Sequence, residues 1–271
     1  MAAIETASSR KITGHDNLRD AYRSVTDRVA EAAIRSGRRP SDVLFVAVTK
    51  TASPDQIRSV VEMGHVDLGE SRVQPLIQRV ASIEEFLLRK RTLPGAASKS
   101  ASEPGLSSNK VRWHMIGHLQ RNKVKPAVPL VQLIHSVDSL RLAEEIHTVA
   151  SRSDRIVDIL IQVNTSGDSS KFGVAAPAVI HLAEQIETML QLRLRGLMTM
   201  APRCSRPEEA RPMFNRTAEI FSEMRTAKVG GGDCNILSMG MSDDFEVAIE
   251  EGANVVRLGR ALFGDGDRVM T

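Results

Sequence analysis

Eight short apolar runs recur along this chain with a helix-patterned stretch between neighbours, and that alternation leaves few ways to fold. Residues 43–48, 65–68, 113–116, 133–137, 158–164, 194–199, 235–239 and 255–258 read as strands. Between them, 55–63, 73–88, 122–128, 139–151, 176–190, 207–227 and 243–250 carry helical periodicity. Parallel strands need crossover connections, so the pattern predicts an α/β chain closed as a (β/α)8 TIM barrel. Asp138-Ser139 and Ser242-Asp243 are the expected helix N-caps, and Gly64 and Gly252 the expected stops.

The beginning departs from the alternation. Residues 16–36 form an amphipathic pattern with Leu18, Tyr22, Val25, Val29 and Ala33 on one face, an extra N-terminal helix ahead of the first strand. Length and pattern predict one barrel domain over 15–271, after a disordered N-terminus at 1–14. Near 90–110 the chain is rich in Ser, Ala, Gly and Pro without periodicity and reads as a flexible surface insertion. Gly230–Gly232 reads as a loop.

Hydrophobic residues make up 42% but aromatics only 3%, so the core is aliphatic and stacking platforms for single-stranded nucleic acid are scarce. The net charge of +3, with both signs interspersed, argues against a nucleic-acid stripe. Cys204 and Cys234 make neither a disulfide framework nor a metal-ligand pair. The N-terminus has no apolar h-region, and no segment is long enough to span a bilayer. A cytoplasmic monomer without membrane or nucleic-acid partners is expected.

Lys50 ends the first apolar run. An amine at the carboxyl end of a buried strand loses hydration, which favours the neutral, nucleophilic form; the plainer alternative is a lysine that snorkels to solvent. Strand alternation turns Val46 and Val48 inward with Lys50, and Phe45, Ala47 and Thr49 toward the helices. On the last strand Val255, Arg257 and Gly259 share one face, so barrel closure is expected to set Lys50 and Arg257 side by side. Gly259 and Arg260 offer backbone N–H groups to an anion, and Ser238 and Ser242 add hydroxyls. These groups suit a phosphorylated aldehyde. His114 and His118 fall on a strand and its loop, with no third ligand for a metal, and no P-loop or dinucleotide fingerprint occurs.

Ordered segments through the chain resemble the YggS/PROSC-type family of pyridoxal 5'-phosphate (PLP)-binding proteins, the PLP homeostasis proteins. They are Val46-Ala47-Val48-Thr49-Lys50, Leu68-Gly69-Glu70-Ser71-Arg72-Val73-Gln74, Trp113 to Lys123, Ile161-Gln162-Val163-Asn164, Ser170-Lys171-Phe172-Gly173, Arg195 to Met200, Leu237 to Ser242 and Val256 to Gly264. The resemblance implies a barrel of the alanine racemase N-terminal-domain type that holds PLP as an internal aldimine. It implies Lys50 as the Schiff-base lysine and Arg257 at the pyridine nitrogen. Ser238 with the backbone of Gly259 and Arg260 would hold the phosphate, while Asn164 and Met200 line the pocket beside Val48 and Ser242. Ser71-Arg72 stand where the family has Asn-Tyr, Pro75 replaces a glutamate, and Arg260 replaces a threonine.

An arginine at the ring nitrogen weakens the electron sink that PLP catalysis needs, and no second base accompanies Lys50. The implied function is PLP homeostasis without robust turnover, with PLP-dependent apoenzymes as recipients. The alternatives are a low-activity amino-acid racemase and a Schiff-base aldolase that keeps no PLP.

Overall fold

In the computed structural model, which describes residues 14–92, 110–165, 167, 172–202 and 204–264, the expected alternation closes on itself. The strands are β1 (Leu44–Val48), β2 (Asp67–Glu70), β3 (Arg112–Met115), β4 (Leu133–Val137), β5 (Val157–Asn164), the two-residue β6 (Val174–Ala175), β7 (Leu192–Thr199), β8 (Ile236–Ser238) and β9 (Val255–Leu258). All pairings are parallel. The order runs β1-β2-β3-β4-β5-β7-β8-β9, and β9 returns to β1 through Leu44–Val255 to Ala47–Leu258. β6 adds only to the end of β5, at Val163 and Asn164.

The helices form the outer layer: α1 (Gly14–Arg35), α2 (Pro54–Glu62), α3 (Val73–Thr92), α4 (Val124–Ala127), α5 (Leu140–Ser151), α6 (Val179–Glu187), α7 (Arg211–Thr226), α8 (Phe245–Glu250) and α9 (Arg260–Phe263). Phe45, Ala47, Val256 and Leu258 pack into the core between strands and helices, as alternation requires. Leu133, Leu160 and Met198 form a small separate cluster on the inner side. Val46 and Ile116 meet at Gly69, and buried polar side chains including His114, His135, Ser238 and Arg257 share the interior with them.

Several boundaries differ from expectation. The second strand starts at Asp67 because Gly64, at φ +90°, ends α2 and His65 stacks on Phe45 at 4.4 Å. The stretch 122–128 is a 3-10 turn (Arg121–Lys123) running into α4. Ser139 stands at the N-cap of α5, but its hydroxyl turns to Asp138 and makes no cap bond. Ser242 does not cap α8, which begins after Asp244; its Oγ instead accepts from the Ala261 N–H in the first turn of α9 at 3.1 Å. A capping box missing from the expectations holds the start of α2, where Ser53 and Gln56 exchange bonds of 3.2 and 2.9 Å.

The leading helix α1 buries Leu18, Val25, Val29 and Ala33, with Tyr22 half-buried, and lies on α8 and α9. Arg28 sits over the Phe245 ring and pairs with Glu246, while Arg35 reaches Glu250. Residues 1–13 and 93–109 lie outside the described residues; Gly14 already belongs to α1, and 90–92 continue α3.

Candidate functional site

Lys50 sits at the carboxyl end of β1, but the chain leaves the strand at Val48 and turns through a 3-10 segment, Thr49–Thr51. Thr49 takes the buried place and Lys50 is exposed. The chain thus carries Lys50 on the exposed side of the turn and holds the turn itself from inside. The Thr49 hydroxyl lies 3.1 Å from Gly69 O and 3.0 Å from Glu70 Oε2. Arg79 of α3 donates to the Thr49 carbonyl and pairs with Glu70, whose other oxygen accepts from Ser71 N at 2.9 Å.

Arg257 does not lie beside Lys50. Its pair on β1 is Val46, and its side chain is 3% exposed. Nη1 donates to Ser238 Oγ at 2.7 Å and Nη2 to the Thr199 carbonyl, at the end of β7, at 2.8 Å. Burial pushes the guanidinium down to about 10, against the opposing field of Asp244, so it stays charged at neutral pH. Among the described residues no carboxylate lies within ion-pair distance of it. A buried cation held only by neutral acceptors suits an electron-rich ligand in the mouth.

Ser238, expected at a phosphate, has no exposed surface and is committed to the interior, with His135 Nδ1 at 3.0 Å on its other side. The hydroxyl at the rim is that of Ser242, which joins the loop after β8 to the turn after β9. There Gly259 packs on Val48, with an added Cβ 3.4 Å from Val48 Cβ, and Gly240 needs its glycine, since φ is +92° and a Cβ would stand 2.6 Å from Ala248. The Arg260 guanidinium pairs with Asp243 at the surface, leaving its backbone N–H as the contribution to the rim. Asn164 is half-buried at the end of β5, and Met200 is exposed just past β7. Lys171 lies outside the described residues. An exposed amine, a buried guanidinium and a glycine-bearing rim stand on neighbouring strands, and their chemistry fits an aldehyde that carries a phosphate and a ring nitrogen.

Sequence reasoning missed what lies beneath. His135 Nε2 is 3.0 Å from His114 Nδ1, and His114 Nε2 is 3.1 Å from Asp67 Oδ1, which also receives Arg112 at 2.7 Å. The two histidines face each other at hydrogen-bond distance, not as two ligands of one ion. The parity of β4 held the signal: His135 shares the inward face of Leu133, and a bulge between Ile134 and Val137 keeps both of those against the helices.

Burial alone would raise Asp67, but hydrogen bonds from His114 and Arg112 outweigh it and hold the carboxyl at about 2. A depressed folded pKa contributes stability that is complete above the ordinary 3.8 and is lost as pH falls through 2. The shift corresponds to about 2 kcal/mol. Asp67→Asn is expected to lower the unfolding free energy at pH 7 by that order and to flatten its fall between those two values, as followed by urea titration. Equal acid sensitivity in both proteins would remove Asp67 from this role.

A closed parallel barrel with its candidate groups at the carboxyl ends of the strands places the chain among the (β/α)8 barrels. Residues 32–267 match the family model for the alanine racemase N-terminal domain. A pyridoxal phosphate homeostasis protein of Aquifex aeolicus (strain VF5) is 35% identical over 245 residues, covering 89% of this chain and 95% of that protein. The chain belongs to the alanine racemase N-terminal-domain family and, within it, to the pyridoxal phosphate homeostasis proteins. Among solved structures, a protein from Bifidobacterium adolescentis superposes with a TM-score of 0.79 at 32% identity, over 92% of this chain and 95% of its own. PipY of Synechococcus elongatus PCC7942, solved with PLP bound, gives 0.69 at 30% identity, over 89% and 100%.

Proposed function

We propose that this chain binds PLP covalently through Lys50 and serves PLP homeostasis, holding the cofactor for PLP-dependent apoenzymes without robust turnover of its own. The observation that carries the reading is Arg257, a buried cation without a carboxylate partner among the described residues, beneath a rim that bears the amine. Bound PLP supplies an aldehyde that condenses with a primary amine and releases water. Lys50 offers that amine from an exposed turn. Arg257 directs its remaining donors at the ring nitrogen, and Ser242 with the backbone of Gly259 and Arg260 receives the phosphate. Ser238 supports the same end of the site from inside. Val48, Asn164 and Met200 bound the space between.

Holding without turnover is supported by two features. A guanidinium at the ring nitrogen favours the neutral ring and weakens it as an electron sink. The chain's only tyrosine, Tyr22, is engaged on α1 with His65 at 3.3 Å and packs against Phe45, so it supplies no second base at the mouth. A cytoplasmic monomer remains the setting we propose. In keeping with it, Cys204 and Cys234 are both free, and no described helix is long and apolar enough to cross a membrane.

The test is borohydride reduction of the purified protein after incubation with PLP, followed by peptide mass mapping. A phosphopyridoxyl group on the peptide containing Lys50 is expected. An adduct elsewhere would displace Lys50. No adduct at all would overturn PLP binding by this mode and turn attention to the aldolase reading.

A further inference from the structure

Five side chains from five different strands meet in one continuous hydrogen-bonded file across the barrel interior: Arg257 (β9), Ser238 (β8), His135 (β4), His114 (β3) and Asp67 (β2). The links are 2.7, 3.0, 3.0 and 3.1 Å, and every member is nearly or fully buried. One arrangement of protons, running from Arg257 to Asp67, gives every link a single donor. Arg257 can only donate, so Ser238 Oγ accepts from it and points its own proton at His135 Nδ1. His135 Nδ1 is then bare, and Nε2–H donates to His114 Nδ1. His114 in turn donates Nε2–H to the Asp67 carboxylate, which Arg112 holds from the outside. In this arrangement His135 carries its proton on Nε2. The other tautomer of His135 would aim Nδ1–H at an oxygen that already accepts from the guanidinium, and would call for a proton on His114 Nδ1. Burial first, and the Arg257 charge after it, also disfavour a charged His135.

We propose that His135 is a positioning residue for the cofactor site: by accepting the Ser238 proton it keeps the serine lone pairs toward Arg257 and so holds the guanidinium in the orientation that meets the ligand. The ring never touches the ligand. It acts through Ser238, and Asp67 acts through His114 to keep the ring in the right tautomer. The inference rests on the reading that PLP occupies the mouth, and its tests separate the two.

The first test needs no ligand and no substitution. Side-chain 15N–1H correlation spectra of the 15N-histidine-labelled full chain are expected to show His135 with Nε2 protonated and Nδ1 bare. The Nδ1–H tautomer would overturn the proposal whatever the protein binds. The second test compares two isosteric variants, each measured below its melting temperature. His135→Asn keeps an acceptor at the place of Nδ1 but loses His114, whereas His135→Gln keeps the contact at Nε2 but gives up the acceptor for Ser238. PLP affinity is expected to fall about tenfold in His135→Gln, with a shifted absorbance of the bound cofactor, and to stay near wild type in His135→Asn. Equal affinities in the two variants, or the reverse order, would overturn the role of His135. Failure of the wild type to bind PLP would instead sink the reading of the mouth and leave the tautomer result standing.

Discussion

Lys50→Ala is expected to abolish covalent retention of PLP while leaving stability within about 0.5 kcal/mol of wild type. The separation of effects follows from where the residue sits. Lys50 is exposed in a short turn whose buried contacts are made by Thr49, so truncating its side chain removes no packing and strands no partner. The variant keeps Arg257 and the rim at Ser242, Gly259 and Arg260, so reversible binding of PLP should persist, weakened, without the visible absorbance of the adduct. Spectra before and after gel filtration, beside a urea titration, would measure both quantities. Covalent retention in Lys50→Ala would place the attachment on another amine. A large loss of stability would make Lys50 a structural residue.

Arg79→Ala should show the opposite profile, with about 3–5 kcal/mol lost from folding because it leaves a buried carboxylate without its partner. Glu70 is 1% exposed, and Arg79 is the cation that reaches it from α3. The Thr49 hydroxyl and the Ser71 N–H remain, but neither neutralises the charge. Because Arg79 also holds the Thr49 carbonyl, the variant should form the Lys50 adduct more slowly even where it is still folded. Replacing Glu70 by Gln in the same chain removes the stranded charge and should recover most of the stability without restoring the rate. If Arg79→Ala unfolds at the wild-type urea midpoint, the pair is a surface decoration and the turn is held by other means.

The barrel was legible because its signal is local: period-two apolar runs, helix patterns and glycine stops each report on a few neighbouring residues. Gly64 and Gly252 end their helices at positive φ, and Val256 and Leu258 face the helices as their parity demands. The site was legible by residue but not by depth. Lys50 was expected at a desolvated strand end, yet Thr49 has a hydroxyl that Glu70 can receive inside, and the turn that follows Val48 leaves Lys50 exposed. Arg257 was expected beside Lys50, and register instead pairs it with Val46. The histidine file was legible only in part, through the parity that turns His135 inward with Leu133. Asp67, His114, His135 and Ser238 are scattered along the chain, each reads as a polar residue in an otherwise apolar run, and only closure of the barrel brings them together.

The two groups proposed to grip the ligand hang from different layers of the protein. Lys50 is carried by the outer shell, through Thr49, Glu70 and the α3 residue Arg79, and Arg257 by the interior file that ends at Asp67. Among the described residues the two assemblies share no side chain. Drift in the helical shell therefore tunes how readily the amine captures a passing aldehyde. Drift inside the barrel tunes how long the ring stays seated. On the proposed reading, loading rate and release rate can therefore be adjusted as separate traits.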